Sequence, residues 1–386
     1  MEAQSRLIES LLFRGYQVRL FSFSALDKYL GLPGMPFVFV ETGAGIGELA
    51  HYADELCFPG ADLADAAADS DGRRYYFRCD SGDSPAAHSY ALLSLVQDLR
   101  NRRFIDTENI YPVIRSLKQN NCAAAWWENI DPGTGCMQAL IDGALILSRY
   151  EAAETPRRDF IESLASAAGN DPPPCTEKQQ ALLTGLMSSR RPERGLEFLK
   201  AAGFLEKYWP EIASLDRADH SKEYHPEGNA WKHTLETFGH RKQNVCGEYD
   251  LRLSMALLLH DIGKPISGGF GSRRFDGHAE LGAGAARRFL DRLEFDPGFT
   301  ADVYYLVKNH MLPAALARLS LTKTGGVMDS PLFPSLMELY RCDESSSFKG
   351  LDGFYQNSAA YQTYLRNMKN PYRSASGKIL GRGRRH

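Results

Sequence analysis

The sequence predicts a mainly helical protein with a smaller α/β part at its N-terminal end. Two observations carry that reading. Short apolar runs bounded by turn residues fall within the first 80 positions, whereas from residue 151 onward apolar residues recur at helical spacing. The chain has 386 residues, enough for two or three domains with sizeable cores.

The elements follow in order. Ser5 to Leu12 has the apolar spacing of a helix. Gln17 to Phe21, Phe37 to Val40 and Arg74 to Arg78 read as short buried strands, and Ala86 to Arg100 as a helix. Residues 151–215 read as all-helical. Within them Gly169-Asn170-Asp171-Pro172-Pro173-Pro174 breaks one helix, and Thr176 is placed to cap the next. Residues 216–350 continue as helices joined by long loops. From Arg366 to His386 there are seven Lys or Arg and no acid, which reads as a solvated helical and basic tail or as a phosphate-backbone contact. The divisions expected are 1–150, 151–215, 216–350 and 351–386.

Bulk properties narrow the function classes. A net charge of −3 implies no protein-wide attraction to nucleic acid. Seven cysteines without zinc-ribbon or redox spacing point to a reducing cytoplasm. No apolar run approaches the ~20 residues that span a bilayer, so no membrane partner is expected. Oligomeric state is left open.

The most informative stretch is Leu257-Leu258-Leu259-His260-Asp261-Ile262-Gly263-Lys264. An apolar run delivers an adjacent imidazole and carboxylate, both ligands for a divalent cation. His233 lies upstream, and His278, His310 and Asp343 lie downstream. Lys264, three residues past Asp261, can reach the same cleft and meet a phosphate oxygen or a leaving group. The Gly-rich loop after it carries Arg273 and Arg274, which can bind phosphate bidentately. His225 can orient a ligand or cap a helix, and His220 and His240 are read as structural or exposed. A histidine-rich set suits Mn²⁺, Fe²⁺, Co²⁺, Ni²⁺ or Zn²⁺ better than Mg²⁺.

The ordered series His233, His260-Asp261, His278, His310, Asp343 resembles the HD superfamily of metal-dependent phosphohydrolases. Tyr224-His225-Pro226-Glu227-Gly228, Trp231-Lys232-His233-Thr234, Gly277-His278-Ala279-Glu280-Leu281-Gly282-Ala283 and Asn309-His310-Met311 resemble the HD domain attached to bacterial CCA-adding tRNA nucleotidyltransferases, over residues 215–345. That resemblance implies a shared ligand set of His233, His260, Asp261 and Asp343. His278 and His310 would hold a second ion, with Asp261 bridging and holding a hydroxide. It further implies catalysis through Asp261 and Lys264 on a nucleotide or RNA-end phosphate.

The N-terminal part resembles the nucleotidyltransferase head of the same family, in degenerate form. Gly15 to Leu20 and on to Leu30-Gly31 can be laid on its opening. The Gly-Gly turn then falls on Ser22 and Phe23, its Arg on Leu26, and the Asp-x-Asp pair on Phe37 and Phe39, while Asp27 and Gly31 remain. Phenylalanine cannot hold Mg²⁺. Asp98 to Phe104 resembles the family's Arg-rich nucleotide-binding word. Gly195 to Leu199, Gly203 to Leu205 and Trp209 to Ile212 resemble its helical neck. The expected architecture is thus a degenerate nucleotidyltransferase-like head, a helical neck and an all-helical HD domain. The leading expected function is a phosphodiesterase or phosphatase. The rivals are a tRNA 3′-end nucleotidyltransferase, and a non-catalytic RNA- or nucleotide-binding protein with a structural metal.

Overall fold

The hydroxyl of Ser5 accepts from the Ile8 amide and caps α1 (Arg6–Phe13), whose Leu7, Ile8 and Leu11 are buried. The computed structural model describes residues 5–60, 62–80, 88–118, 126–127, 135–218, 228–267, 275–347 and 350–379. The chain divides into two units, residues 1–209 with 243–249, and residues 210–242 with 250–386.

The first unit begins with a mixed sheet. After β1 (Val18–Leu20) come α2 (Ser22–Leu30), β2 (Phe37–Thr42), α3 (Ile46–Leu49), β3 (Ala66–Ser70), β4 (Arg73–Arg78), β5 (Val96–Asp98) and β6 (Phe104–Ile105). The strand order is β3-β4-β2-β1-β5-β6, with β2 and β4 parallel and the other pairs antiparallel. Aromatic pairing fixes the centre of the sheet. Phe37, Phe39 and Tyr76 have ring centroids 5.5–5.7 Å apart, and Phe39 lies opposite Tyr76 in the register. Ser22, at the entry to α2, has φ of 54°, in the left-handed region that favours glycine.

Helices complete this unit: α4 (Tyr111–Lys118), α5 (Cys136–Arg149), α6 (Arg158–Ala168), α7 (Thr176–Ser188), α8 (Pro192–Ala201) and α9 (Phe204–Tyr208). Met137 and Ala139 to Arg149 are all buried, so α5 is an axial helix rather than a surface one. Helix α8 crosses it closely at Gly195, where a Cβ would sit 2.1 Å from Ser148 Oγ and 2.5 Å from the Ala144 carbonyl.

The second unit is helical: α10 (Pro210–Ala213), α11 (Ala230–Thr237), α12 (Leu251–Leu259), α13 (Lys264–Ser267), α14 (His278–Arg292), α15 (Pro297–Asn309), α16 (Leu321–Met328), α17 (Phe333–Ser345) and α18 (Asp352–Lys369). Leu253 and Met255 to Leu259 are buried with Phe289, Leu290, Val303, Leu306 and Leu339. This core fixes where the ends of α12, α14, α15 and α17 lie.

Two local expectations are corrected. The stretch up to Arg100 is no helix: Ala91–Leu93 is a 3₁₀ turn and Val96–Asp98 is β5, because pairing with β1 overrides local propensity. Thr176 does not cap α7 but is its first residue, after Cys175.

Candidate metal centre

The ends of five helices supply the site. The Asn229 side chain caps α11 by accepting from the Lys232 amide at 3.0 Å and so sets His233 on the first turn, 1% exposed. Asp250 caps α12 through the Arg252 and Leu253 amides, and the apolar helix ends at His260-Asp261. Gly277, at φ 74°, starts α14 with His278. Asp296 caps α15 before Pro297, and His310 closes it. Asp343 comes from the last turns of α17.

The structure brings all six residues together. His233, His260 and Asp343 form one group, and Asp261, His278 and His310 a second. Within each group the ligand atoms lie within 4.8 Å of one another. His233 Nε2 is 2.8 Å from Asp343 Oδ1, and His260 Nε2 is 3.8 Å from the same oxygen. Asp261 stands between the groups. Its Oδ2 is 3.3 Å from His260 Nε2 and its Oδ1 is 3.6 Å from His278 Nε2, so one oxygen faces each group.

The hydrogen bonds of the rings explain why this space suits a cation. The Nδ1 atoms of His260, His278 and His310 lie 2.8, 2.8 and 2.7 Å from the carbonyls of Leu257, Phe275 and Val307. A carbonyl only accepts, so each Nδ1 carries the proton and each Nε2 presents a lone pair. His278 Nε2 and His310 Nε2 then face each other at 3.1 Å, and His260 Nε2 has no hydrogen-bond partner among the described residues. Lone pairs converging in a buried space repel unless a cation lies among them. Burial lowers the His278 pKa and, with the neighbouring His260, brings that of His310 to about 4, so both rings favour the neutral, ligating form. Burial would raise the Asp261 and Asp343 carboxyls. The surrounding imidazoles, with Lys264 beside Asp261, instead hold both well below the usual carboxylate range.

Lys264 reaches the same place. Its Nζ donates to Asp261 Oδ2 at 2.6 Å and lies 5.7 Å from the centre of the Phe275 ring. The turn between Asp261 and Lys264 is packed on the start of α14. A Cβ on Gly263 would lie 2.0 Å from the His278 carbonyl oxygen and 2.6 Å from the Gly282 amide nitrogen. Arg273, Arg274, His225 and His220 lie outside the described residues.

A second constellation lies within the first unit and was not foreseen. A cavity of about 440 Å³ is lined by Ser22, Phe39, Arg78, His88, Asp142 and Lys178, with Asp62 and Asp171 also on its wall. Burial raises the Asp142 carboxyl, which accepts from the Ser89 hydroxyl at 2.6 Å. The signal available in the sequence was a lone acid inside the apolar stretch 136–149. Phe39, at a position the resembled family fills with a carboxylate, stands on this cavity's wall. Arg100 of the Arg-rich word is held structurally: its guanidinium donates to the carbonyls of Leu12 and Tyr16 at 3.2 and 3.3 Å.

Residues 231–343 match the family model described as HD domain. Among curated proteins, the chain is 35% identical over 179 residues to a CC-adding tRNA nucleotidyltransferase of Thermus thermophilus, covering 44% of this chain and 39% of that protein. It is 30% identical over 188 residues to an A-adding tRNA nucleotidyltransferase of Deinococcus radiodurans, covering 47% and 42%. The matches therefore span about two fifths of the length of these relatives. A solved CCA-adding enzyme of Bacillus stearothermophilus in complex with CTP aligns with a TM-score of 0.49 and 13% identity, over 94% of this chain and 81% of that one. The relatives overturn the phosphohydrolase expectation, as phosphodiesterase and as phosphatase alike, because they are named for adding nucleotides to tRNA. The physical reason for the error is general. Imidazoles and carboxylates at this spacing can hold a divalent cation, and a cation site does not by itself choose a reaction.

Proposed function

We propose that the chain, which matches the HD-domain family model over residues 231–343 and is similar to bacterial tRNA nucleotidyltransferases, acts on the 3′ end of tRNA as a nucleotidyltransferase. The carrying observation is the 35% identity over 179 residues to a CC-adding enzyme. The cavity of the first unit supports the reading by its size, about 440 Å³, and by the cations Arg78 and Lys178 on its wall, which suit phosphate. Transfer needs carboxylates to hold the metal that accompanies a nucleoside triphosphate. Phe37 and Phe39 supply none, so on this proposal the carboxyl groups come from Asp62, Asp142 and Asp171 on the same wall.

A second reading is favoured by one observation. Phe37 and Phe39 are packed against Tyr76, so neither of the two positions where the resembled family carries its pair offers a carboxylate. On this reading the protein binds tRNA or a nucleotide without turnover.

One experiment separates the two. Purified protein is given CTP or ATP with tRNA transcripts truncated by one, two or three 3′ residues, in Mg²⁺ or Mn²⁺. Metal-dependent incorporation that is lost in Asp142→Asn supports transfer. Binding of the same transcripts without incorporation supports the second reading.

In either case the residues fit a divalent ion in the second unit. His233, His260 and Asp343 would hold one, and Asp261, His278 and His310 another, with Asp261 shared. A bound ion would supply positive charge that ties the ends of α11, α12, α14, α15 and α17 together. The imidazole share favours Mn²⁺, Fe²⁺, Co²⁺, Ni²⁺ or Zn²⁺. The partners on this proposal are tRNA and a nucleotide, met in the cytoplasm. No helix among the described residues is long and apolar enough to cross a membrane.

A further inference from the structure

The last acid in the chain is Asp352, and 34 residues follow it without another. In that span Arg366, Lys369, Arg373 and Lys378 fall in the last turn of α18 and the turn that succeeds it, all of them exposed. We propose that this corner of the second unit docks the phosphate backbone of RNA. The inference rests on the RNA-directed reading above for its partner, and on its own geometry for the surface.

The surface is mounted rigidly. The Asn357 side chain, 5% exposed, accepts from the Ala317 amide at 3.0 Å and donates to the Gly353 carbonyl at 2.8 Å. The Tyr361 ring packs on Phe333 with centroids 4.5 Å apart, and the Tyr364 hydroxyl donates to Asp329 at 2.5 Å. The inner face of α18 is thus spent on the protein. Beyond the helix the chain turns back on itself. The Lys378 carbonyl accepts from the Ser374 amide at 2.8 Å, the Ser374 carbonyl accepts from the Gly377 amide at 2.8 Å, and Asn367 donates to the Ala375 carbonyl at 3.2 Å. Gly377 takes φ of 82°, which the turn requires. Arg373 donates to the Gly377 carbonyl across it at 3.2 Å. The cations are therefore carried on an ordered scaffold, and holding them against a strand of phosphates costs less entropy than ordering a loose tail.

Chemistry favours RNA over the other polyanion, a lipid surface. Met368, Tyr372 and Ile379 are exposed but interspersed with the cations, Tyr355 is exposed by itself near the start of α18, and Phe354, Tyr361, Tyr364 and Leu365 are buried or half-buried. A helix that enters a bilayer needs a continuous apolar face, and this one has none left to offer. An exposed Tyr372 among cations suits packing against a base or ribose.

The test measures equilibrium binding of the full chain to a truncated tRNA transcript, to a short unrelated RNA duplex and to phosphatidylserine vesicles, across roughly 50 to 200 mM salt. The variant is Arg366→Gln/Lys369→Gln/Arg373→Gln/Lys378→Gln, with Lys369→Arg/Lys378→Arg as the conservative control. Metal content and circular dichroism establish that both stay folded. The expected result is a loss of about tenfold to a hundredfold on both RNAs in the quadruple variant, with a salt slope shallower by roughly three units and wild-type behaviour in the control. Unchanged RNA affinity and slope would overturn the proposal, as would a loss confined to vesicles. Wild-type protein that adds no nucleotide yet loses RNA binding in the variant would sink the transferase reading and leave this surface standing.

Discussion

Arg149 Nε donates to both carboxylate oxygens of Asp27, at 2.6 and 2.7 Å, across 122 residues of sequence. Both residues are buried, and the Tyr150 hydroxyl adds a third hydrogen bond to Asp27 at 3.0 Å. Burial raises the Asp27 carboxyl against the pull of Arg149. The pair ties α2, which begins at the strained Ser22, to the end of α5. Arg149→Met would leave a buried carboxylate without its cation and should cost about 3–5 kcal/mol in urea unfolding. Asp27→Asn combined with Arg149→Met should recover most of that loss. A double variant as unstable as Arg149→Met would show that the charge is not the cause.

Asp142 gives a pH dependence with a defined sign. Burial raises its carboxyl above the ordinary value, so the folded state holds this proton more tightly than the unfolded chain does. The contribution to stability is present below about pH 4, the ordinary carboxyl range, and is lost as pH rises through the raised value. Asp142→Asn keeps an acceptor for Ser89 and cannot ionise. Thermal melting from acid to neutral pH should find the variant more stable than wild type near neutrality, with the gap closing toward pH 4. A gap that is constant with pH would remove the titration argument.

The two ligand groups should be separable. His278→Ala removes a ligand from the Asp261 and His310 group and leaves His233, His260 and Asp343 in place. His233→Ala does the converse. Elemental analysis of protein loaded with Mn²⁺ or Zn²⁺ should give about two ions per chain in wild type and about one in each variant. A wild-type chain with a single ion that both variants abolish would mean one shared centre.

Gly263 has no room for a side chain, because the His278 carbonyl oxygen lies where its Cβ would go. Gly263→Ala must push the start of α14 away from Asp261. The Asp261, His278 and His310 group should lose its ion first, and melting should fall by several degrees, equivalent to about 1–3 kcal/mol. An alanine variant with wild-type metal content would show that the turn yields without moving His278.

Legibility in the sequence tracked how local each cause was. The strands β1, β2 and β4 were visible because Val18, Phe37 to Val40 and Tyr75 to Phe77 form apolar runs too short for helices. The strand β3 was missed because Ala66-Ala67-Ala68 has little strand propensity and is held by its pairing with β4. Three residues of β5 carry no period to detect. In the second unit, the six residues that the structure gathers into two groups were legible, since each His or Asp at a helix end stands out against apolar neighbours. The Asp142 cavity was not, because Ser22, Arg78, Asp142 and Lys178 meet only once the sheet and the helices are assembled. The reaction was misjudged for a different reason: the ligands describe what an ion needs, and the substrate is chosen elsewhere.

His233 and Asp343 touch at 2.8 Å although 110 residues separate them. An ion gripped by both would fasten the two ends of that stretch to each other, much as a covalent cross-link closes a long loop. Limited proteolysis of chelator-treated protein should accordingly open the second unit as a whole, while the first unit keeps its cutting pattern. Metal supply would then set how long this half of the molecule survives in a protease-rich surrounding, whatever chemistry the other half performs.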